Sequence, residues 1–276
     1  MSGPTLSLPG GQPMPALGFG TYQLTGDTAR QAVGHALEVG YRHIDTAMMY
    51  DNHVAVGRGL AEAGVDRAEI FLVTKIWHDR LRRTDLLADA EQALNELGTD
   101  YVDQLLIHWP NSRIPIGETL GAMKELHDAG KTRTIGVSNF TVDHLRQARD
   151  AGEVPLAANQ VECHPYLAQP ELHAFCRQHA IAMVAYRPLG RGEVCDDPVL
   201  GEIGRKHGRT AAQVALRWLL QRGLAAIPRS STPRHIEENW QALGFELDDD
   251  DRARIDGLDR NQRQIVPDFA EFGGPE

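Results

Sequence analysis

One pattern of apolar and polar positions repeats along the chain. A short apolar run rich in β-branched residues is followed by a loop, and the loop by a stretch with apolar residues at helical spacing. Eight such runs occur, at residues 15–22, 41–47, 70–77, 102–109, 132–140, 156–163, 181–188 and 224–231. Strands that alternate with helices are joined by crossovers, so the pattern predicts eight parallel strands.

The helical stretches between these runs have recognisable ends. Asp27 is expected to cap the first helix, and Gly40 to end it. A later helix repeats leucine and alanine at helical spacing and ends before Gly98. Thr232 and Pro233 open a further helix, because proline is favoured in the first helical turn.

Eight strand and helix units in about 250 residues fit a closed (β/α)8 barrel better than an open sheet. An open dinucleotide-binding sheet would show G-x-G-x-x-G after its first strand, and LGFGTYQLTG lacks the third glycine. No linker or internal repeat divides the chain, so residues 1–276 are expected to form a single domain. The first eight or so residues and the final GGPE are expected to be loosely ordered.

Composition narrows the function classes. With 42% hydrophobic and 24% charged residues, the chain has ordinary globular composition, and its three cysteines form no C-x-x-C pair. A reducing, cytoplasmic location is therefore expected. No stretch approaches the roughly 18 apolar residues of a membrane span, and a net charge of -10 argues against a nucleic-acid surface. The acidic run at 248–252 is typical of a first helical turn.

Polar residues fall at or just past the C-terminal ends of the predicted strands, where barrel enzymes carry their chemistry. They are Asp45, Lys75, His108, Ser138, Asn139, Gln160, Tyr186 and Arg229. One histidine or lysine at a strand end is usually a packing or solvent-facing residue. Three ionisable groups ending consecutive apolar strands are different, because burying a charge without a partner is costly. The set is therefore a candidate active site.

The residue types of this set favour proton transfer. There is no G-x-S-x-G motif for a serine nucleophile, and Cys163 is poorly placed for one. His43 and Asp45 share a face but supply one imidazole, so a metal-dependent hydrolase remains only as an alternative. Tyr50 follows Asp45 by five residues. A cation near a phenol lowers its pKa, so we expect Lys75 to make Tyr50 a general acid.

Longer motifs carry a resemblance to a known family. HIDTA with Tyr50 and Asn52, then TKIW, LLIHWP, GVSNF, NQVECHP, AYRPLGRG and IPRSSTPRHIEEN, resemble the aldo-keto reductases in order and spacing from about residue 7 to about 267. Within that family the chain is most similar to bacterial 2,5-diketo-D-gluconate reductases, particularly the B-type enzymes that also reduce methylglyoxal. The resemblance implies a (β/α)8 TIM barrel with an N-terminal β-hairpin and a C-terminal tail.

The resemblance also implies a reaction. An aldehyde or ketone, such as methylglyoxal or 2,5-diketo-D-gluconate, would be reduced to an alcohol by hydride from NADPH. Tyr50 matches the family's proton donor, Asp45 and Lys75 the pair that tunes it, and His108 the residue that orients the carbonyl.

Further residues match the family's binding sites. The implied cofactor contacts are Gly20, Thr21, Ser138, Asn139, Gln160, Tyr186, Leu189, Gly190, Arg229, Ser230, His235, Glu238 and Asn239. Ser138, Asn139 and Gln160 would hold the nicotinamide carboxamide, and Tyr186 would stack on the ring. The implied substrate walls are Tyr22, Trp77 and Trp109, for which core packing is the alternative.

The chain departs from the family pattern at three places. His53 replaces the usual Glu, which we expect to cost local stability without changing the chemistry. Arg187 replaces a common Ser and could add a phosphate contact. Arg229 and His235 stand where Lys and Arg bind the 2'-phosphate, so NADPH is favoured but discrimination against NADH is expected to be weak, with Arg234 beside them.

Two other function classes stay open on the sequence alone. One is a non-catalytic barrel that binds a nicotinamide cofactor and acts as a regulator, and the other is the metal-dependent TIM-barrel hydrolase. The complete set of acid, phenol, amine and imidazole favours a catalyst over either. Small-molecule carbonyl substrates, no bound metal and a monomeric state are expected, while the loops and the tail at 260–272 would set the substrate.

Overall fold

The structure is a computed structural model that describes residues 3–152 and 154–272. An antiparallel hairpin, β1 (Thr5–Ser7) and β2 (Pro13–Pro15), precedes eight parallel strands in one sheet. The eight are β3 (Phe19–Gly20), β4 (His43–Asp45), β5 (Phe71–Ile76), β6 (Val102–Ile107), β7 (Thr132–Ser138), β8 (Leu156–Glu162), β9 (Ala182–Tyr186) and β10 (Ala225–Ala226). They lie side by side in chain order, as successive crossovers require.

Ten α-helices accompany the strands in the described part of the chain. They are α1 (Gly26–Val39), α2 (His53–Glu62), α3 (Arg83–Leu97), α4 (Ile116–Asp128), α5 (Val142–Ala151), α6 (Pro170–Gln178), α7 (Pro198–His207), α8 (Ala211–Gln221), α9 (Pro233–Trp240) and α10 (Asp249–Asp256). Gly40 and Gly98 follow α1 and α3 with positive φ, as predicted. The first helix begins two residues earlier than predicted, with Thr25 and not Asp27 as its N-cap, so Asp27 lies in its first turn.

The sheet closes on itself between its first and last strands. Leu17 bridges Ala226, the Ala226 amide donates to Ala16 O over 2.7 Å, and the Gly18 amide donates to Ala226 O over 2.9 Å. The predicted (β/α)8 barrel with an N-terminal hairpin is confirmed. The runs predicted at 15–22 and 224–231 each contain only two residues of a barrel strand, because the bonds of the closing seam are irregular.

The hairpin seals the N-terminal end of the barrel. Leu8 and Met14 are buried with the inward-facing strand residues, among them Phe71 and Leu106. The expectation that the first eight residues are loose is therefore wrong for Thr5–Ser7. The expectation for GGPE, at 273–276, lies outside the described residues.

A buried carboxylate ties the hairpin to this end of the barrel. Asp103, at the start of β6, accepts from Gln12 Nε2 at 2.9 Å and from Arg67 Nη1 at 2.8 Å. Arg133 also reaches Asp103, and both guanidinium groups lie on the ring of Tyr101. With this end filled and cross-linked, the opposite end is where a ligand can enter. Among the described helices, none combines the length and apolarity needed to cross a membrane.

Candidate active site

Three strand ends bring ionisable side chains together at the C-terminal end of the barrel. Asp45 ends β4, Lys75 is the next-to-last residue of β5, and His108 directly follows β6. Lys75 is fully buried, and its Nζ lies 2.6 Å from Asp45 Oδ1, 2.9 Å from Thr46 O and 3.2 Å from the Tyr50 hydroxyl. The cluster predicted from strand ends is therefore assembled, with Tyr50 beside it.

The hydrogen bonds of Lys75 fix the direction of the phenol proton. An ammonium group has three donors and no acceptor, and here all three donors have a partner. The Tyr50 oxygen therefore accepts from Lys75, and its own O–H points away from the ammonium.

Tyr50 is held by the loop that follows β4. It ends a short 3-10 turn, and Asp51 then adopts a left-handed conformation with φ of 50°. Asn52 is buried and donates to the carbonyl oxygens of Thr21 and Leu24, at 2.9 Å each, while it accepts from Thr46 Oγ1 at 2.7 Å. Asn52 thus ties the Tyr50 loop to the loop after β3.

The predicted lowering of the Tyr50 pKa is wrong in this structure. Burial raises the pKa of Tyr50 well above 10, and the negative charge of Asp45 adds to the increase. Lys75 does not outweigh these effects because Asp45 already neutralises it at 2.6 Å. A phenol with a raised pKa keeps its proton at neutral pH, which is the form that a proton donor requires.

His108 is a neutral imidazole in this setting. Burial lowers its pKa well below 6.5, and the neighbouring Lys75 and His78 side chains lower it further. Its Nδ1 is enclosed and has no hydrogen-bond partner among the described residues. The ring packs edge-on against Tyr50, with 5.7 Å between ring centroids.

The predicted carboxamide-binding residues form one network with the cluster. Asn139 has the left-handed φ of 63° that asparagine tolerates, and its Nδ2 donates to His108 O over 2.9 Å. The Tyr186 hydroxyl donates to Asn139 Oδ1 over 2.8 Å. Ser138 Oγ donates to Gln160 O over 2.8 Å.

Gln160 connects this network to the carboxylate. Its Nε2 donates to Asp45 Oδ2 over 2.7 Å, so both oxygens of Asp45 are occupied. The other amide atom, Oε1, has no partner among the described residues and remains an acceptor for a carboxamide N–H. The donor and acceptor set thus fits a nicotinamide. Thr21 lies beside it, with Oγ1 and the backbone amide both donating to Asp45 O.

Two glycines that the resemblance implied as cofactor contacts lie where the backbone leaves little room for a side chain or has a positive φ. A Cβ on Gly20 would lie 3.0 Å from Ile227 O, so a side chain would crowd the first loop. Gly190 has φ of 49°, and its carbonyl accepts from Gln264 Nε2. Leu189 precedes it at the start of the loop after β9.

The predicted adenosine-end residues lie along the loop after β10 and on α9. Arg229 is exposed, and its guanidinium donates to Tyr22 O at 3.0 Å and to Gln23 Oε1 at 3.3 Å. It therefore spans from the last strand to the loop after the first one. The others are Ser230, which accepts from the Thr232 amide, Glu238, which pairs with Arg234 at 2.6 Å, exposed His235 and buried Asn239.

Aromatic rings surround the reactive cluster. Tyr22 packs against Tyr50 with 5.1 Å between centroids, and Trp77 against His108 at 5.0 Å. Trp109 is buried, so packing accounts for part of its role. The structure thus brings two of the three predicted substrate residues into direct contact with the catalytic candidates.

Two aromatic residues of the tail complete this wall and were missed by the sequence analysis. Phe269 contacts Trp77 at 5.5 Å and Trp109 at 5.6 Å, and Phe272 contacts Trp109 at 5.5 Å between centroids. The one available signal was the presence of two phenylalanines in a tail expected to help set the substrate.

One cavity lies away from the reactive cluster. A space of about 340 Å³ opens beside the N-termini of α1 and α2, lined by Gly26, Asp27, Arg30, Asp51, Asn52, His53, Val54, Ala55, Arg58 and Glu96. Arg30 already pairs with Asp27 and Glu62 there, so its charge needs no ligand. Within residues 3–152 and 154–272, no group of three or more His, Cys, Asp or Glu side chains could hold a metal ion.

Fold and cluster together define the class of protein, an oxidoreductase built on a (β/α)8 barrel. The model of the aldo/keto reductase family matches residues 16–260, and the chain belongs to this family.

Individual relatives match over nearly the whole chain. Methylglyoxal reductase DkgB from Escherichia coli O157:H7 is 41% identical over 92% of this chain and 97% of its own length. Glyoxal reductase from Bacillus subtilis strain 168 is 40% identical over 94% of each chain. A crystal structure described provisionally as a 2,5-diketo-D-gluconic acid reductase B is 38% identical, with a TM-score of 0.95 over 100% of this chain and 98% of its own.

Proposed function

We propose that this protein reduces small dicarbonyl compounds, such as methylglyoxal or 2,5-diketo-D-gluconate, with NADPH and with Tyr50 as the proton donor. The observation that carries the proposal is the buried Lys75, whose Nζ reaches both Asp45 and the Tyr50 hydroxyl. The names of the methylglyoxal, glyoxal and 2,5-diketo-D-gluconic acid reductases support this substrate class.

The geometry accounts for the proton step. The nicotinamide, when bound, supplies the hydride that adds to the carbonyl carbon. Tyr50 gives its proton to the carbonyl oxygen, and Lys75 at 3.2 Å stabilises the phenolate that remains. Asp45 keeps the buried ammonium charged, because Lys75 alone would lose its proton to burial, which lowers its pKa. Neutral His108 donates a hydrogen bond to the same carbonyl oxygen and orients it.

The choice of NADPH over NADH rests on Arg229. A guanidinium is a permanent charge that binds phosphate through two donors, and Arg229 stands at the expected place of the 2'-phosphate. Arg234 is already paired with Glu238, so it adds little, and the imidazole of His235 lacks the two-donor fork of a guanidinium. We expect His235→Arg to raise the ratio of kcat/KM for NADPH over NADH by about tenfold, as one added phosphate contact would. An unchanged ratio would show that residue 235 does not contact the 2'-phosphate of the cofactor.

The test is NADPH oxidation with methylglyoxal, 2,5-diketo-D-gluconate and an aromatic aldehyde, for the wild type and Tyr50→Phe. We expect the variant to bind NADPH but to lose at least about 1,000-fold in kcat, because the donor and its phenolate are both removed. Tyr22→Phe is the matched control, since it removes a neighbouring hydroxyl. Turnover retained in Tyr50→Phe would contradict the proton role. NADPH binding without turnover of any carbonyl by the wild type would favour the regulatory barrel.

The proposal also covers the location, the oligomeric state and the domain organisation of the protein. We infer a cytoplasmic monomer in which the whole chain is one barrel domain. The cysteines support a reducing compartment, since Cys163 and Cys176 are buried as free thiols. The metal-dependent hydrolase has no support, because the family is one of reductases.

A further inference from the structure

Arg187 directly follows Tyr186 at the end of β9 and occupies an unusual position. It is half-buried, and its φ of 49° is left-handed, a conformation that arginine rarely adopts. Its Nη1 is enclosed by protein and has no hydrogen-bond partner among the described residues. No hydrogen bond, ion pair or aromatic ring in the described part of the chain engages any part of this guanidinium.

Other arginines near the mouth of the barrel are engaged. Arg229 donates to Tyr22 O, Arg260 lies 3.7 Å above the ring of Tyr166, and Arg263 lies 4.1 Å above that of Phe272. Other arginines with an enclosed, unpartnered nitrogen have a second contact: Arg209 on Phe245, Arg222 on Trp218 and Arg252 with Asp249. Arg187 differs from both groups, because its guanidinium has neither a hydrogen-bond partner nor a second contact among the described residues.

The charge of Glu162 favours the cationic form of Arg187, but it does not outweigh burial and the charge of Arg191. Glu162 is fully buried, and its carboxylate accepts from the backbone amides of Gln264 and Ile265 and contacts His164. Burial lowers the pKa of Arg187, and the charge of Arg191 lowers it further. Leaving the enclosed Nη1 donor of this cation without a partner is costly, and a bound ligand would supply one.

The position of Arg187 indicates where that ligand lies. Its positive charge acts on the Tyr50 phenol, lowering a pKa that burial raises, and it also interacts with Tyr22 and Tyr186. Arg187 also follows Tyr186 directly at the end of β9, and the Tyr186 hydroxyl donates to Asn139 in the network around the reactive cluster, so Arg187 lies at the same mouth of the barrel. A guanidinium fork pairs best with the two oxygens of a carboxylate or phosphate.

We propose that Arg187 is an anion-binding residue at the mouth of the active site, where its guanidinium pairs with a phosphate or carboxylate oxygen of a bound molecule. The proposal rests on the proposed function, which supplies two sources for that group. One is the phosphates of NADPH, and the other is the carboxylate of an acidic substrate such as 2,5-diketo-D-gluconate.

Two matched variants test this residue. Arg187→Asn removes the charge with a residue that tolerates left-handed φ, and Arg191→Asn does the same at an exposed arginine of the same loop with φ of 54°. Both are compared with the wild type for unfolding midpoint, NADPH Kd by fluorescence titration, and kcat/KM at saturating NADPH. The substrates are 2,5-diketo-D-gluconate, which has a carboxylate, and methylglyoxal, which has none.

The two sources give different results. If Arg187 binds a cofactor phosphate, Arg187→Asn raises the NADPH Kd by about 10- to 100-fold, as expected for a lost hydrogen bond between charged groups. If it binds a substrate carboxylate, the Kd is unchanged and kcat/KM falls by a similar factor for 2,5-diketo-D-gluconate but not for methylglyoxal. Either loss shrinks when salt is added, because the contact is ionic.

Other results overturn the assignment. Changes below about twofold in every measurement, or equal losses in Arg191→Asn, would show that Arg187 makes no specific anion contact. These outcomes are separate from failure of the proposed function. A wild type that neither binds NADPH nor oxidises it with any carbonyl would remove both, whereas an active wild type with an unaffected Arg187→Asn variant removes only this inference.

Discussion

At the residue scale, His53 shows how one substitution can be absorbed by its surroundings. The sequence predicted a local stability cost, because a carboxylate suits a helix N-terminus better. In the structure, His53 begins α2, is buried, and has its Nε2 2.9 Å from Thr74 Oγ1. Glu96 lies 3.4 Å from its Nδ1. A glutamate at position 53 would therefore face a second carboxylate, so the expected cost is offset in this chain.

His53 should make stability fall in mild acid. Burial lowers its pKa from 6.5 to about 4, despite the opposing charge of Glu96. Between these values the unfolded chain binds a proton that the folded chain does not, so His53 contributes stability above pH 6.5 that is lost as the pH falls towards 4. From pH 7 to pH 5 the loss is about 1–2 kcal/mol, since one pKa unit corresponds to about 1.4 kcal/mol.

His53→Gln tests this effect by keeping a hydrogen-bonding amide near Thr74 without a titrating group. We expect the free energy of unfolding, measured by urea denaturation, to fall about 1–2 kcal/mol less from pH 7 to pH 5 than in the wild type. The same change at half-exposed His127 is the control and should alter this difference by less. Equal slopes for the wild type and His53→Gln would show that His53 is not neutral in the folded protein.

Tyr50 shows what sequence can and cannot predict at this scale. Strand ends were sufficient to place Asp45, Lys75 and His108 together, because the pattern of the chain fixes which residues end parallel strands. The pKa direction was wrong because it depends on burial and on the short Asp45–Lys75 contact. Neither quantity is visible in a sequence.

At the element scale, the tail at 260–272 is ordered by a contact with β8. Glu162 ends that strand, and its two carboxylate oxygens accept from the amides of Gln264 at 2.8 Å and Ile265 at 3.0 Å. Burial acts to raise the pKa of Glu162, but His164 and these amides outweigh it, and the pKa is lowered. Glu162 therefore stays ionised and positions the segment that carries Phe269 to the active site.

Glu162→Gln should loosen the tail. An amide has one acceptor oxygen for two backbone donors, so one hydrogen bond is lost and an N–H faces another donor, at a cost of about 1–3 kcal/mol. We expect hydrogen exchange at the Gln264 and Ile265 amides to speed up by about 10- to 100-fold. The KM for substrate should rise, because Phe269 forms part of the wall.

The control for this change is Glu193→Gln. Glu193 is an exposed residue that accepts from Gln262 Nε2, so it contacts the same tail without holding its backbone. We expect its exchange rates and KM to match the wild type. Unchanged exchange in Glu162→Gln would mean that other contacts, such as that of Glu271 with Ser112, order the tail by themselves.

Elements that follow from the local sequence pattern were predicted, whereas contacts between residues distant in the chain were not. The runs at 70–77 and 102–109 became β5 and β6 because both faces of an inner barrel strand are buried and read as continuous apolar runs. The seam between Leu17 and Ala226 and the contact between Glu162 and the tail join residues far apart in the chain. Local pattern carries no information about such pairs.

At the scale of the whole molecule, each end of the barrel has a buried carboxylate, and the two carboxylates differ in the groups that bind them. Asp103 is saturated by Arg67, Arg133, Gln12 and the Leu72 amide, and so serves only to hold the closed end. Asp45 at the open end engages an ammonium whose remaining donor reaches a phenol. One end is thereby fixed, and the other holds the phenol that the proposed reaction would use as its proton donor.

If the whole chain is one barrel domain, as we propose, it should unfold as one unit and be stabilised as one unit by its cofactor. Two of the four tryptophans, Trp77 and Trp109, contact the active-site wall, while Trp218 and Trp240 lie in α8 and α9. We therefore expect tryptophan fluorescence and far-UV circular dichroism to give the same urea midpoint. NADPH at 100 times its Kd should raise the free energy of unfolding by about 2.7 kcal/mol.

NADH at the same concentration is the control, and it should stabilise less if Arg229 binds the 2'-phosphate. Because a ligand that binds only the folded state stabilises everything that unfolds with its site, NADPH should shift the fluorescence and dichroism midpoints together. Two midpoints, of which NADPH moves only one, would contradict the single domain. They would show that the mouth of the barrel unfolds independently of the helices around it.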